Sequence, residues 1–192
     1  MESVINLLKE LWLPIVVSGV IVWVASFLIW MISPMHKGEW KSLPDEKGFM
    51  GAMIEMGVQP GQYMFPNPTD RSDMKNPEFL ERVKRGPNGS ITVWPGPTNM
   101  GRNMILSLII YWIVGLFVAY LGWQCLQPSD SYLQKFRITG TAAVMAYCFA
   151  SLPHDIWFGR PGRAILTSLV DGVIYGLLTA GTFAWLWPKG MV

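Results

Sequence analysis

Hydrophobic residues fall into four long runs along the chain. The runs cover about residues 11–32, 103–125, 131–152 and 164–187. A helix that crosses the hydrocarbon core of a bilayer needs about 20 mainly apolar residues, each adding 1.5 Å. We therefore predict an all-α integral membrane protein with four transmembrane helices, TM1 to TM4. The first run is too long, and its end (SFLIWMI) too bulky, for a cleavable signal peptide, so we expect it to be retained as TM1.

A polar insert between the first two runs has a pattern of its own. Asp45 and Asn76 each stand beside a proline and an acid, which is typical of a helix start. Residues 59–66 and 90–94 are bounded by turn residues and resemble short strands. Two short helices and two short strands predict a small α+β cap outside the membrane.

The pattern divides the chain into three parts. Residues 1–33 form an N-terminal tail and TM1, and residues 34–101 form the extramembrane cap. Residues 102–192 form a bundle of the three remaining transmembrane helices.

Small residues recur every four positions on TM3 and TM4, which places them on one face of each helix. Faces of this kind let two helices approach closely in lipid. We therefore expect TM3 and TM4 to pack through them. The packing residues are Gly172, Gly176 and Ala180 on TM4, and Ala142, Ala146 and Ala150 on TM3.

Composition agrees with a membrane protein, since 51% of the residues are hydrophobic and only 15% are charged. The net charge of +2 and the lack of a basic block with interleaved aromatics argue against a nucleic-acid partner. Cys125 and Cys148 form no CxxC or zinc-site spacing, so neither a disulfide framework nor a zinc site is predicted. The expected partners are the lipid bilayer and other membrane subunits or a second copy of the chain.

The distribution of basic residues predicts the orientation. Of the 15 Lys and Arg residues, eleven lie on the side of the insert and four on the other side. The basic residues nearest the spans carry this argument, because the positive-inside rule is reliable only close to the membrane. They are Lys37, Lys41, Arg102, Arg160 and Arg163. We expect a cell-membrane protein with a cytoplasmic insert and both termini outside.

Asp171 is the only acid or base well inside a hydrophobic run. A carboxylate at that depth costs a few kcal/mol or more unless it is protonated or paired, so it is a functional candidate. In one interpretation it is a structural lock, neutral or tied to Arg160, Arg163 or a neighbouring helix. In the other it carries a proton or a cation.

Most polar residues near the membrane fall on the side of the insert, where we expect them to line a shallow pocket beneath the cap. Loops beside spans are commonly polar, and snorkelling arginines gather there, so the same pattern also fits an ordinary membrane boundary. The pocket residues are Asp171, Tyr175, Thr167, His154, Asp155, Arg160, Arg163, Arg102 and His36.

The candidate chemistry is sparse. His36 and His154 both follow a span on one side and are possible haem ligands, but their places beside Pro34 and Pro153 suit a rigid axial ligand poorly. His154 and Asp155 are a possible acid/base pair. The sequence contains no phosphate loop, zinc motif or catalytic triad signature, so we predict no catalytic residue, no metal site and no cofactor.

Helical spacing places Met50, Met53 and Met56 on one apolar face of the cap, which is more typical of a docking surface than of a copper site. The leading hypothesis is a non-catalytic accessory, assembly or scaffold subunit that acts through helix packing and its cap. The first alternative is a small proton- or cation-coupled carrier that uses Asp171. The second alternative is a haem- or quinone-binding membrane anchor of a redox complex.

Overall fold

The structure, a computed structural model, describes residues 2–189; residues 1 and 190–192, the ends of the predicted first and last parts, lie outside this range. Two compact units form within it. The membrane unit contains the residues up to 39, residues 100–155 and the residues from 160 onward. The cap unit contains Trp40–Asn99 and the tetrapeptide Ile156–Gly159, which the sequence analysis had assigned to the bundle.

The membrane unit is helical, and the cap unit mixes helices and strands. The helices are α1 (Glu2–Met31), α2 (Glu46–Glu55), α3 (Pro77–Arg85), α4 (Met100–Cys125), α5 (Tyr132–Phe149), α6 (Leu152–Trp157) and α7 (Gly162–Leu186). The strands are β1 (Gly61–Phe65) and β2 (Gly89–Val93), and 3-10 turns cover Pro34–His36 and Asp73–Lys75.

Three described helices are long and apolar enough to cross a membrane: α1 over Ile5–Met31, α4 and α7. The predicted mostly helical membrane architecture is therefore confirmed at this level, but a fourth span is not. The helix in question, α5, has only 18 residues and carries Lys135 and Arg137 near its start. These charges lower its apolar character below that of the other three helices.

The first helix is longer than predicted. It begins at Glu2, so the residues expected to form a tail belong to α1, and Pro14 lies inside the helix rather than in its first turn. Leu7 of this extension is buried in the hydrophobic core together with Leu11, the first residue of the predicted span. Burial of such side chains typically contributes about 1.5–3 kcal/mol each, which explains why the helix extends beyond the predicted start.

The cap elements begin where their sequence signals indicate. The Asp45 carboxylate accepts a hydrogen bond from the backbone N–H of Gly48 and so caps α2. The Asn76 side chain caps α3 in the same way. Gly86 ends α3 with a φ of 67°, a left-handed conformation that glycine adopts without steric cost. The two strands pair antiparallel, and Tyr63 stands opposite Ile91.

Packing of α5 on α7 depends on residues spaced by four, but the predicted face of α5 is wrong. A Cβ atom added at Gly176 would lie 2.5 Å from Cγ2 of Val144, and one added at Gly172 would lie 2.7 Å from Sγ of Cys148. Gly140 faces Ala180 in the same way, so the two helices run antiparallel in close contact.

The alanines of α5 lie elsewhere. Ala146 and Ala150 are exposed, and Ala142 is half-buried against the core. The stripe through Gly140 and Val144 lies roughly opposite the alanine stripe, because two residues along an α-helix turn it by about 200°. Gly172, Gly176 and Ala180 of α7 are buried, in line with their predicted place in the contact.

Candidate functional site

The centre of the site is a contact between His36 and Asp171. His36 lies in the 3-10 turn that follows α1. This turn begins at Ser33, whose side chain accepts a hydrogen bond from the backbone N–H of Met35. Asp171 projects from α7. Nε2 of His36 lies 3.0 Å from Oδ2 of Asp171, and both side chains are 6% exposed. A residue following the first span is thus joined to one in the middle of the last helix.

Glu39 occupies the other side of the His36 ring. Its Oε1 atom lies 2.9 Å from Nδ1 of His36 and also accepts a hydrogen bond from the hydroxyl of Thr167 on α7. The hydrogen bond from Thr167 is the main reason that the pKa of Glu39 lies below its ordinary value. Burial acts in the opposite direction, and His36 adds to the lowering. The Glu39 side chain is only 4% exposed, and its carboxylate contacts both His36 and Thr167.

Trp30, near the end of α1, covers the His36 ring. The two ring centroids are 3.9 Å apart and the rings are nearly parallel, at 9°. His36 is thus held by one contact at each nitrogen and by an aromatic ring on one face. Trp30 of α1, Glu39 of the same loop and Asp171 of α7 therefore fix the position and orientation of the His36 ring.

A second group of polar side chains surrounds Arg160, two residues before α7. Its guanidinium donates to Oδ2 of Asp155 at 3.1 Å and to Oγ of Ser168 at 2.8 Å. Asp155 is buried and pairs with Arg160. The neighbouring His154 is exposed, and its pairing with Asp155 as acid and base stays a prediction. Arg163 donates to the backbone carbonyl of Lys37 at 3.0 Å, which adds another connection from α7 to the residues after α1.

Two buried oxygens of the site, Oδ1 of Asp171 and the hydroxyl of Tyr175, make no well-formed hydrogen bond within the described residues, although the Trp30 side chain lies close to both residues. Tyr175 lies one helical turn after Asp171. Its ring meets Tyr111 of α4 and Tyr147 of α5 edge-on, with centroids 6.0 Å and 5.8 Å apart.

The predicted pocket residues fall into two sets. The contacts above engage His36, Asp155, Arg160, Arg163, Thr167 and Asp171, with Tyr175 beside them. Arg102 and His154 are exposed on α4 and α6. Glu39, Trp30 and Ser168 were missed. For Glu39 the available signal was its position three residues after His36, within one turn of chain.

No protein family, curated protein or solved structure matches the chain.

The geometry bears directly on the haem hypothesis. An axial ligand presents a free ring nitrogen to iron, whereas both nitrogens of His36 face carboxylate oxygens. The second histidine of the chain, His154, is exposed. Within residues 2–189 no group of three or more His, Cys, Asp or Glu side chains is arranged to hold a metal ion. In this arrangement His36 therefore offers no free ring nitrogen to a haem iron.

A cavity of about 560 Å³ lies elsewhere in the membrane unit. Its lining includes Asn6, Glu10, Trp123, Leu126 and Trp187, from the start of α1 and the ends of α4 and α7. The residues of the His36–Asp171 site do not line it. The polar groups of the site instead face one another, and this arrangement joins α7 to the residues that follow α1 through hydrogen bonds.

Proposed function

We propose that the protein is a non-catalytic accessory, assembly or scaffold subunit of a membrane complex. The observation that carries this proposal is the way the site uses its polar side chains. His36, Glu39, Thr167 and Asp171 engage one another instead of lining the described cavity. Such a network is typical of a lock between helices, since buried charges that are paired and hydrogen-bonded fix one arrangement.

The lock joins the end of the first helix to the last one. Residues 34–39, which we call the linker segment, lead from α1 to the first residue of the cap unit. Three side chains of α7 hold this segment: Asp171 through His36, Thr167 through Glu39, and Arg163 through the carbonyl of Lys37. The network would thus define where the chain leaves the membrane unit.

The cap unit supplies the surface for partners. Met50 and Ile54 of α2, and Met56 directly after it, are exposed to more than half of their full extent, while Met53 is half-buried. Large apolar side chains that stay exposed together commonly mark an interaction site. Methionine adapts well to a partner because its side chain is flexible and polarisable.

We further propose that α5 is a fourth span and that the cap is cytoplasmic. Eighteen residues rise about 27 Å, close to the thickness of about 30 Å of the hydrocarbon core. The close packing of α5 on α7 supports a place within the bilayer, because small residues at helix contacts are typical there. The positive-inside rule supports the orientation through Lys37, Arg102 and Arg163.

Copurification tests the scaffold proposal. The full chain carries an affinity tag and is extracted from native membranes in mild detergent. We expect a defined complex with other membrane proteins that survives Glu55→Lys but is lost in Ile54→Lys, a change at the next position of α2. Both side chains are exposed, so neither substitution should lower thermal stability. Purification of the wild-type chain without a partner, or equal retention by both variants, would contradict the proposal.

A second function is favoured by the buried oxygens of Asp171 and Tyr175, which make no well-formed hydrogen bond within the described residues. Buried groups of this kind can receive a proton or a cation, as in a small coupled carrier. The test is flux into liposomes that contain the purified protein. Proton or cation flux that is abolished by Asp171→Asn would favour the carrier, and flux that is unaffected by this change would reject it.

A further inference from the structure

The two contacts of His36 require a proton that a neutral imidazole does not have. A neutral ring carries one N–H, so one of its nitrogens donates and the other accepts. An ionised carboxylate has only acceptor oxygens. Oε1 of Glu39 lies 2.9 Å from Nδ1, and Oδ2 of Asp171 lies 3.0 Å from Nε2. With a neutral ring and two carboxylates, one of these close contacts would join two acceptors.

The position of the additional proton follows from the third partner. Oγ1 of Thr167 lies nearest to Oε1 of Glu39 and farther from the backbone carbonyls of Arg163 and Ala164. With its hydrogen directed to Glu39, Oε1 accepts from Thr167 and from His36, as an ionised carboxylate does. Nδ1 of His36 therefore carries a hydrogen and donates it to Glu39. The additional proton then lies between Nε2 and Oδ2, either on the imidazolium or on the carboxyl group of Asp171.

The additional proton lowers the negative charge of the buried site. A neutral ring between two ionised carboxylates would leave two negative charges in a buried site, and the additional proton reduces them to one. Of the charged groups nearby, Lys37 follows His36 in the linker segment and is exposed, Arg160 is paired with Asp155, and Arg163 donates to the linker segment. Trp30 of α1, Tyr111 of α4 and Tyr147 of α5 contribute uncharged rings to His36 and Tyr175.

We propose that His36 and Asp171 form a binding site for one exchangeable proton, and that its occupancy controls the attachment of the linker segment to α7. When the proton leaves for solvent, the lone pair of Nε2 faces the ionised Oδ2 and this hydrogen bond is lost. Uptake of a proton from solvent restores it. This inference goes beyond the scaffold proposal and does not depend on it. The contact between His36 and Asp171 can respond to pH whether the protein is a scaffold subunit or a coupled carrier.

Nitrogen magnetic resonance on ¹⁵N-histidine tests the proposal in the full chain reconstituted in lipid. His154→Gln leaves His36 as the single histidine, so its ring nitrogens are observed without overlap. At neutral pH we expect either both nitrogens protonated, or a neutral ring together with an infrared carboxylic-acid band that Asp171→Asn removes. A neutral ring with no such band would overturn the proposal.

The pH dependence supplies the second measurement, which needs no variant at Asp171. On alkalinisation the linker segment should exchange its backbone amide hydrogens faster at residues 37–39, by about tenfold or more, while the amides of α3 serve as the control. Equal behaviour of both sets, after correction for intrinsic exchange rates, would overturn the control of the linker segment by the proton.

Discussion

A methyl group added at Gly176 should separate α5 from α7. The Cβ atom of Gly176→Ala would lie 2.5 Å from Cγ2 of Val144 and 3.0 Å from its backbone nitrogen. The Val144 side chain can rotate, but the backbone of α5 must move. Overpacking of this kind typically costs about 1–3 kcal/mol. The helix propensity of alanine offsets up to about 1 kcal/mol of that cost.

The matched control is Gly181→Ala in the same helix. A Cβ atom there would meet only the hydroxyl of Tyr132, at an ordinary distance of 3.8 Å. Helix propensity acts on both variants, so their difference isolates the packing cost, and we expect Gly176→Ala to be less stable by about 1–3 kcal/mol. The assay is reversible unfolding in detergent. Equal stabilities would refute the close packing of α5 on α7, and Gly176→Leu should be worse than either variant.

Two further predictions concern the lock and the orientation. The pKa of Glu39 is lowered in the folded protein, so its stabilising contribution exists above the unfolded pKa and is lost as the pH falls through the folded pKa. Thr167→Val should lower the free energy of unfolding by about 1.5–3 kcal/mol at neutral pH, because Glu39 loses the hydroxyl hydrogen bond. Thr167→Ser keeps the hydroxyl and should retain this stability. Equal unfolding curves for the two variants would contradict the role of the hydroxyl. Ser90→Cys, in a chain without the exposed Cys125, should resist an impermeant thiol reagent in intact cells and react after lysis. Labelling of intact cells would reverse the orientation.

Hydrophobic runs and capping residues allowed much of the fold to be predicted from the sequence, because both act locally. The runs indicated α1, α4 and α7, and Asp45 and Asn76 indicated where α2 and α3 begin. The face of α5 that contacts α7 differs from the predicted alanine face. Regular spacing identifies residues on one face of a helix but does not identify the helix that this face contacts. Val144 lies opposite Gly176, and a larger residue against a glycine packs as well as two small ones.

The site was predictable only in part, for a similar reason. Asp171 was identified because an acid within an apolar run is costly. Its partner His36 and the contact of Glu39 with Thr167 join residues more than a hundred positions apart, which no local pattern encodes. The haem hypothesis treated His36 and His154 as equivalent, whereas the fold buries the first among carboxylates and exposes the second.

Comparison of Asp171→Asn with Asp171→Leu tests the central claim, that the polar network serves as a lock, most directly. The Asn amide can donate to Nε2 of a neutral His36 while Nδ1 still donates to Glu39, so the network survives without the additional proton. Leucine leaves His36 buried without this partner, at a cost of about 1–3 kcal/mol. The measurement is the yield of the native complex from membranes, together with the detergent stability of each purified variant. We expect the Asn variant to retain both and the Leu variant to lose both. A stable Asn variant that no longer forms the complex would contradict the lock and favour a role for the ionisable acid itself.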